Sequence, residues 1–259
     1  MRNQSNANTL TSFQIMKTAN PLKPKRAAGL TSPSRPRMLF CTLIAVFLGV
    51  HIAQARPSPP VLLYCPAYSQ NVRTVYLNIG ENKYRSVTLS IANIIELPSP
   101  PIEQGRITFY GPAGEDGQHT IAAVAEIGAK GNPLIVLHPS GPDAETAYEA
   151  VIVDADIRAF PLASFQLLNL SPYPVRFNKD EALITEMQSG ESHNFKPDNA
   201  AGIPFPIRVK YETGDNWTLI SSSSWVARND RRTLVCILRD PRSERMDIRS
   251  VPLRVIPGR

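Results

Sequence analysis

Two indoles and a run of serines carry the most chemistry in this chain. Trp217 and Trp225 stand eight residues apart around Ser221, Ser222, Ser223 and Ser224. An even separation puts both rings on one face of an unbroken strand. With Tyr173 and Tyr211 they form a candidate aromatic platform for sugar rings or for a partner protein. The favoured reading is packing inside the core of the second β-sandwich, where large aromatics serve well. The serines suit an exposed or edge strand whose backbone is free to pair. Just downstream, Arg228, Arg231 and Arg232 form a candidate binding patch, with a solvated loop as the alternative.

Candidates for catalysis are sparse. His119, His138 and His193 each lie in or beside a turn, and none has a second ligand at metal-binding spacing. His138, Ser140 and Asp143 bring together the residue types of nucleophilic catalysis. Those side chains would have to converge in space, which six consecutive residues around Pro139 and Pro142 disfavour. The nearest carboxylate pairs, Glu115 with Asp116 and Asp154 with Asp156, are explained by turn formation. No nucleophile elbow or phosphate-cradling glycine loop is present. We therefore assign no catalytic residue, no metal ligand and no cofactor. Cys65 and Cys236 are a candidate disulfide in an oxidising compartment. It would close a loop worth about 5 kcal/mol in chain entropy. The alternative is two buried thiols packed as small hydrophobes.

The elements that must position these residues follow an unusual start. Met38 to Ala55 is an uncharged apolar run, preceded by Arg35 and Arg37 and ended by Ala53-Gln54-Ala55. Its apolar core has the length of a secretory signal and its end fits a signal peptidase, so cleavage is expected after Ala55. An uncleaved anchor is the alternative, and it is the one expected route to a membrane. Residues 1–37 form a basic, disorder-prone arm, long for a signal peptide, so translation from Met38 or nearby is a further expectation. The chain has 28 basic and 22 acidic residues, and residues 1–55 hold seven of the basic and none of the acidic ones. Removing those seven leaves 21 basic residues against 22 acidic. The alkaline character belongs to the targeting segment, which argues against nucleic acid as a partner.

The mature part, residues 56–259, reads as short strands separated by Pro and Gly turns. Val75, Leu77 and Ile79 alternate with polar residues, as do Phe205, Ile207, Val209 and Tyr211. Ala182–Thr185 and Ser192–Phe195 flank Gln188-Ser189-Gly190-Glu191 in the manner of a hairpin. Residues near Asp154–Pro161 read as a linker, with six or seven strands on either side. The expected fold is all-β: two immunoglobulin-like β-sandwiches in tandem, over residues 56–156 and 157–259. A single larger sandwich or barrel is the alternative.

From Leu168 to Val175 the sequence runs Leu-Asn-Leu-Ser-Pro-Tyr-Pro-Val, and Ser189-Gly190-Glu191 follows as a turn. Together with Trp217–Trp225 and Arg232–Val235, these segments resemble uncharacterised families of exported bacterial all-β proteins. The resemblance covers about 90 residues of the C-terminal half. It implies an exported sandwich and carries no activity. The leading expectation is a non-enzymatic binding or structural module of the periplasm, cell envelope or extracellular space, with an envelope protein or a glycan as partner. A carbohydrate-binding module using the tryptophans is the first alternative. An envelope hydrolase with an unrecognised site is the second.

Overall fold

The computed structural model describes residues 60–69, 72–128 and 131–254. The basic arm, the expected signal segment and the expected cleavage point after Ala55 lie outside the described residues. Among the described residues no helix is long and apolar enough to cross a membrane.

The first half forms β1 (Val61–Tyr64), β2 (Thr74–Asn78), β3 (Tyr84–Thr88), β4 (Ile95–Leu97), β5 (Arg106–Ala113), β6 (His119–Glu126), β7 (Pro133–Pro139) and β8 (Tyr148–Asp154). The second half forms β9 (Phe165–Asn169), β10 (Val175–Lys179), β11 (Ala182–Met187), β12 (Ser192–Phe195), β13 (Pro204–Thr213), β14 (Asn216–Val226), β15 (Arg231–Arg239) and β16 (Met246–Arg254). Alternation decides which face each strand buries. In β13 Phe205, Ile207 and Val209 are buried while Pro204, Pro206 and Arg208 are exposed.

The halves share one topology. The first has sheets ordered β4-β1-β7-β8 and β3-β2-β5-β6, and the second β12-β9-β15-β16 and β11-β10-β13-β14. Each is a two-sheet sandwich, so the all-β tandem expectation is met. In both, the first strand lies parallel to the seventh, with Leu63 opposite Ile135 and Leu167 opposite Val235. Even the irregularities repeat. Phe109 faces Ala123 and Tyr110 faces Ile121, which leaves Ala122 as a bulge. Val209 faces Ser221 and Lys210 faces Leu219, which leaves Ile220 in the same role.

Each sandwich has its own core. Val75, Leu77, Ile107 and Phe109 anchor the first, and Val175, Phe177, Ile207 and Val209 the second. A third core joins them. Tyr64, Leu134, Val136 and Val153 from the outer face of one sheet pack with Leu168, Leu234, Cys236, Val251 and Leu253 from the other half. By register, Leu134 corresponds to Leu234, Val136 to Cys236 and Val153 to Val251. The contact is thus built from matching positions of the two repeats, in the manner of a two-fold interface inside one chain.

The linker is fastened at this junction. Asp154 Oδ1 accepts the Asp156 amide at 2.9 Å, and Asp156 Oδ1 accepts the Arg158 amide at 2.9 Å. Both aspartates therefore serve the turn, and the amides of Ala159 and Phe160 close it on the Asp156 carbonyl. Phe160 is fully buried in the shared core.

Several expectations change. Among the described residues each sandwich has eight strands instead of six or seven. β11 and β12 do not form a hairpin: β11 pairs with β10, whereas β12 crosses to the other sheet and pairs with β9. Among the described residues Cys65 and Cys236 are free thiols. Cys65 packs in the first sandwich core and Cys236 in the shared core, so they belong to different clusters on opposite faces of a sheet. Burial pushes the Cys65 thiol up to about 12 and the Cys236 thiol higher still. Protein comprising residues 56–259 should show no thiol reactive to Ellman's reagent when native and two after denaturation. A native protein that still shows no free thiol after unfolding without reductant would restore the disulfide.

Candidate functional site

β14 is where most of the chemistry meets. Its eleven residues form the outer edge of their sheet and, among the described residues, pair with β13 alone. The bulge at Ile220 reverses the facing of the strand partway along. Trp225 lies opposite buried Phe205 and packs on Phe165 at 5.1 Å between ring centroids, on the core side. Beyond the bulge, Trp217 and Leu219 share the outer face with Lys210 and Glu212. The two indoles therefore do not form one platform. Trp217 is capped by the Arg176 guanidinium, 4.0 Å from its ring, and Arg176 also binds Glu186 at 2.7 Å. Tyr173 and Tyr211 do meet, at 5.6 Å, apart from both tryptophans.

The three arginines do not make a free basic patch either. Asp230 takes Arg228 at 3.3 Å and Arg231 at 2.9 Å. Those hydrogen bonds, the Arg231 one above all, hold the Asp230 carboxyl well below its usual range. Arg232 is buried, and its Nη1 donates to the Phe160 carbonyl at 2.7 Å while the guanidinium lies over the Phe160 ring. Burial lowers its pKa, opposed by the charges of Asp156 and Asp154. Arg232 thus pins the linker and takes no part in a surface site.

Comparison of the repeats isolates what is special about β14. Ala123 and Ala125 of β6 face inward and are fully buried, because β6 packs along β8 and closes the side of the first sandwich. Their counterparts by register are Ser221, half-buried, and Ser223, exposed. β14 touches β16 at few positions. The second sandwich is open along this side. Ile220, Trp225, Met246 and Ile248 line the opening, all packed on the core yet partly accessible.

A second cluster, on the first sandwich, escaped the sequence reading. Tyr84 stacks on His119 at 4.0 Å, Tyr76 lies 4.8 Å from the same ring, and Tyr84 meets Tyr110 edge-on at 5.3 Å. His119 Nδ1 donates to the Gly111 carbonyl at 2.6 Å, which orients the ring. Asn78, Glu103, Arg106 and Thr108 border Tyr110 in a shallow polar depression. Alternation marks two of its members singly: Tyr76 faces outward between buried Val75 and Leu77, and Tyr110 faces outward beside buried Phe109. The rings occupy one another's faces, so the cluster chiefly ties the strands together.

The other candidates for catalysis do not converge. Ser140 Oγ has no hydrogen-bond partner, so His138 does not activate it. His138 instead approaches Glu149 at 3.8 Å, and burial lowers its pKa while Glu149 opposes that shift. Asp116 accepts the Gln118 amide in its turn. His193 sits on β12 opposite Leu167. Among the described residues no group of three or more His, Cys, Asp or Glu side chains is placed to hold a metal. No protein-family model and no curated protein matches the chain.

Proposed function

We propose that this chain is an exported, non-enzymatic binding module of the cell envelope, and that it captures an extended segment of a partner protein on the free edge of β14. The observation that carries the reading is the undefended character of this strand. Asn216–Val226 has no charge, no Pro and no Gly over eleven residues. Edge strands are normally shortened, charged or broken to prevent pairing with other chains. The other edges here follow that rule. β4 and β12 have three and four residues. β3 carries Arg85, β11 carries Glu186, and β6 ends in Glu126 and lies against β8. β8 carries Glu149 and Asp154, while β16 carries Asp247, Arg249 and Pro252.

Export is supported by the apolar run Met38–Ala55 and its Ala-Gln-Ala end. The near-neutral mature charge suits a protein partner more than a polyanion. Kinship with uncharacterised exported all-β families is part of the same proposal and rests on the Leu168–Val175 and Ser189–Glu191 motifs.

A photo-cross-linking side chain at Ser222, in tagged mature protein in the cell, should form adducts with a protein. The same group at Val124 of β6 should not. Equal capture from both positions, or none from Ser222, would contradict the reading. The glycan alternative moves from the tryptophans to the Tyr76, Tyr84 and Tyr110 face, where aromatic rings border polar side chains. Loss of cell-wall retention on Tyr84→Ala, with Ser222 silent, would favour it.

A further inference from the structure

The opening beside β14 has a counterpart in the same chain that shows what closes it. In the first sandwich, β6 and β8 come together, and the inward positions hold Ala123 and Ala125, both fully buried. Small side chains there let the two edges approach. The second sandwich keeps the same topology and the same bulge, yet its inward positions are Ser221 and Ser223 on β14 and Ser250 on β16. Ser223 and Ser250 are exposed. Ser250 stands where the first sandwich has Ile152, since Ile135 faces Ile152 and Val235 faces Ser250. Serine tolerates water where alanine and isoleucine would favour closure. Around these serines, Met246 and Ile248 leave apolar surface partly uncovered.

We infer that the second sandwich is completed in trans: an extended segment of a partner protein pairs with β14 and sets small apolar side chains, on alternate residues, into the opening between β14 and β16. This rests on the proposed capture at β14 and names the chemistry of what is captured. Backbone hydrogen bonds along β14 supply affinity for any extended chain, and the alternate inward side chains supply selection. The segment is uncharged on its inward side, because Asn216–Val226 offers no counter-charge and the lining residues Ile220, Trp225, Met246 and Ile248 are apolar.

Two synthetic peptides test this on the full mature protein. Both have nine central residues flanked by lysine pairs for solubility. One alternates threonine with valine and alanine, and in the other each valine and alanine is replaced by serine. Binding is followed by tryptophan fluorescence, since Trp225 lies at the opening. The alternating peptide should bind about tenfold or more tighter than the polar one. Ser223→Leu, which fills the opening from within, should weaken it by a similar factor while leaving the melting temperature unchanged or raised. Equal affinity for both peptides, lost on placing lysines on the edge, would leave capture at β14 standing and overturn completion in trans. Absence of binding by either peptide would overturn both. A Ser223→Leu variant that binds as tightly as the parent would also overturn the inference.

Discussion

Leu234→Asp is expected to leave no folded protein, and Leu234→Ala to lower the stability of both sandwiches together. Leu234 is fully buried in the core shared by the two halves. Deleting most of a buried leucine costs about 2–5 kcal/mol, depending on how far the cavity collapses. A carboxylate in the same place adds a desolvation penalty of several kcal/mol. A domain has in total only about 5–15 kcal/mol to lose. The shared core joins matching faces of the two repeats, so neither sandwich can lose its neighbour without baring Tyr64, Leu134 and Val136 or Leu168 and Cys236. Thermal unfolding of the parent should therefore be one transition, and that of Leu234→Ala one transition at lower temperature. Two transitions, with the first sandwich melting unchanged, would show that the halves are independent. Leu219→Asp is the control, because Leu219 is 53% exposed and should tolerate the charge.

The second large effect concerns binding. The double variant Ser222→Lys, Ser224→Lys should lose partner capture by about tenfold or more, the equivalent of 1.4 kcal/mol. Its stability should stay within about 0.5 kcal/mol of the parent, as for exposed surface substitutions generally. Both serines are exposed and lie on the edge strand, opposite Arg208 and Pro206 of β13. Lysine is a natural guard of such edges, because an incoming strand must desolvate or displace it. Isothermal titration with the alternating threonine, valine and alanine peptide checks affinity, and a melting curve checks stability. Retained capture would place the partner elsewhere. Capture lost together with stability would show that the serines support the fold and not the edge.

Much of this architecture was legible as alternation. Val75 and Leu77, or Phe205, Ile207 and Val209, announce one buried face, and the linker at Asp154–Pro161 stands out by its turn residues. The shared core had a signal too. Leu134–Leu137 and Leu234–Leu238 are continuous apolar runs, the pattern of strands buried on both faces. A run of that kind does not say what covers the second face. The bulge at Ile220 was invisible, because a strand's facing is inferred only while its period of two persists. One inserted residue therefore separated Trp217 from Trp225 and dissolved the candidate platform, leaving only Trp225 on the core side. The three neighbouring arginines likewise look alike in sequence. Only folding distinguishes Arg232, drawn into the junction by the Phe160 carbonyl, from Arg231 on Asp230. The cluster of Tyr76, Tyr84, Tyr110 and His119 spans four strands, and no local pattern assembles it.

The most direct measurement is amide hydrogen exchange of residues 56–259, alone and with the alternating threonine, valine and alanine peptide. Slow exchange should be gained along Asn216–Val226 and in the facing residues of β16, with β6 and the tyrosine face of the first sandwich unchanged. Protection gained on that tyrosine face, with β14 exchanging as before, would contradict capture at β14.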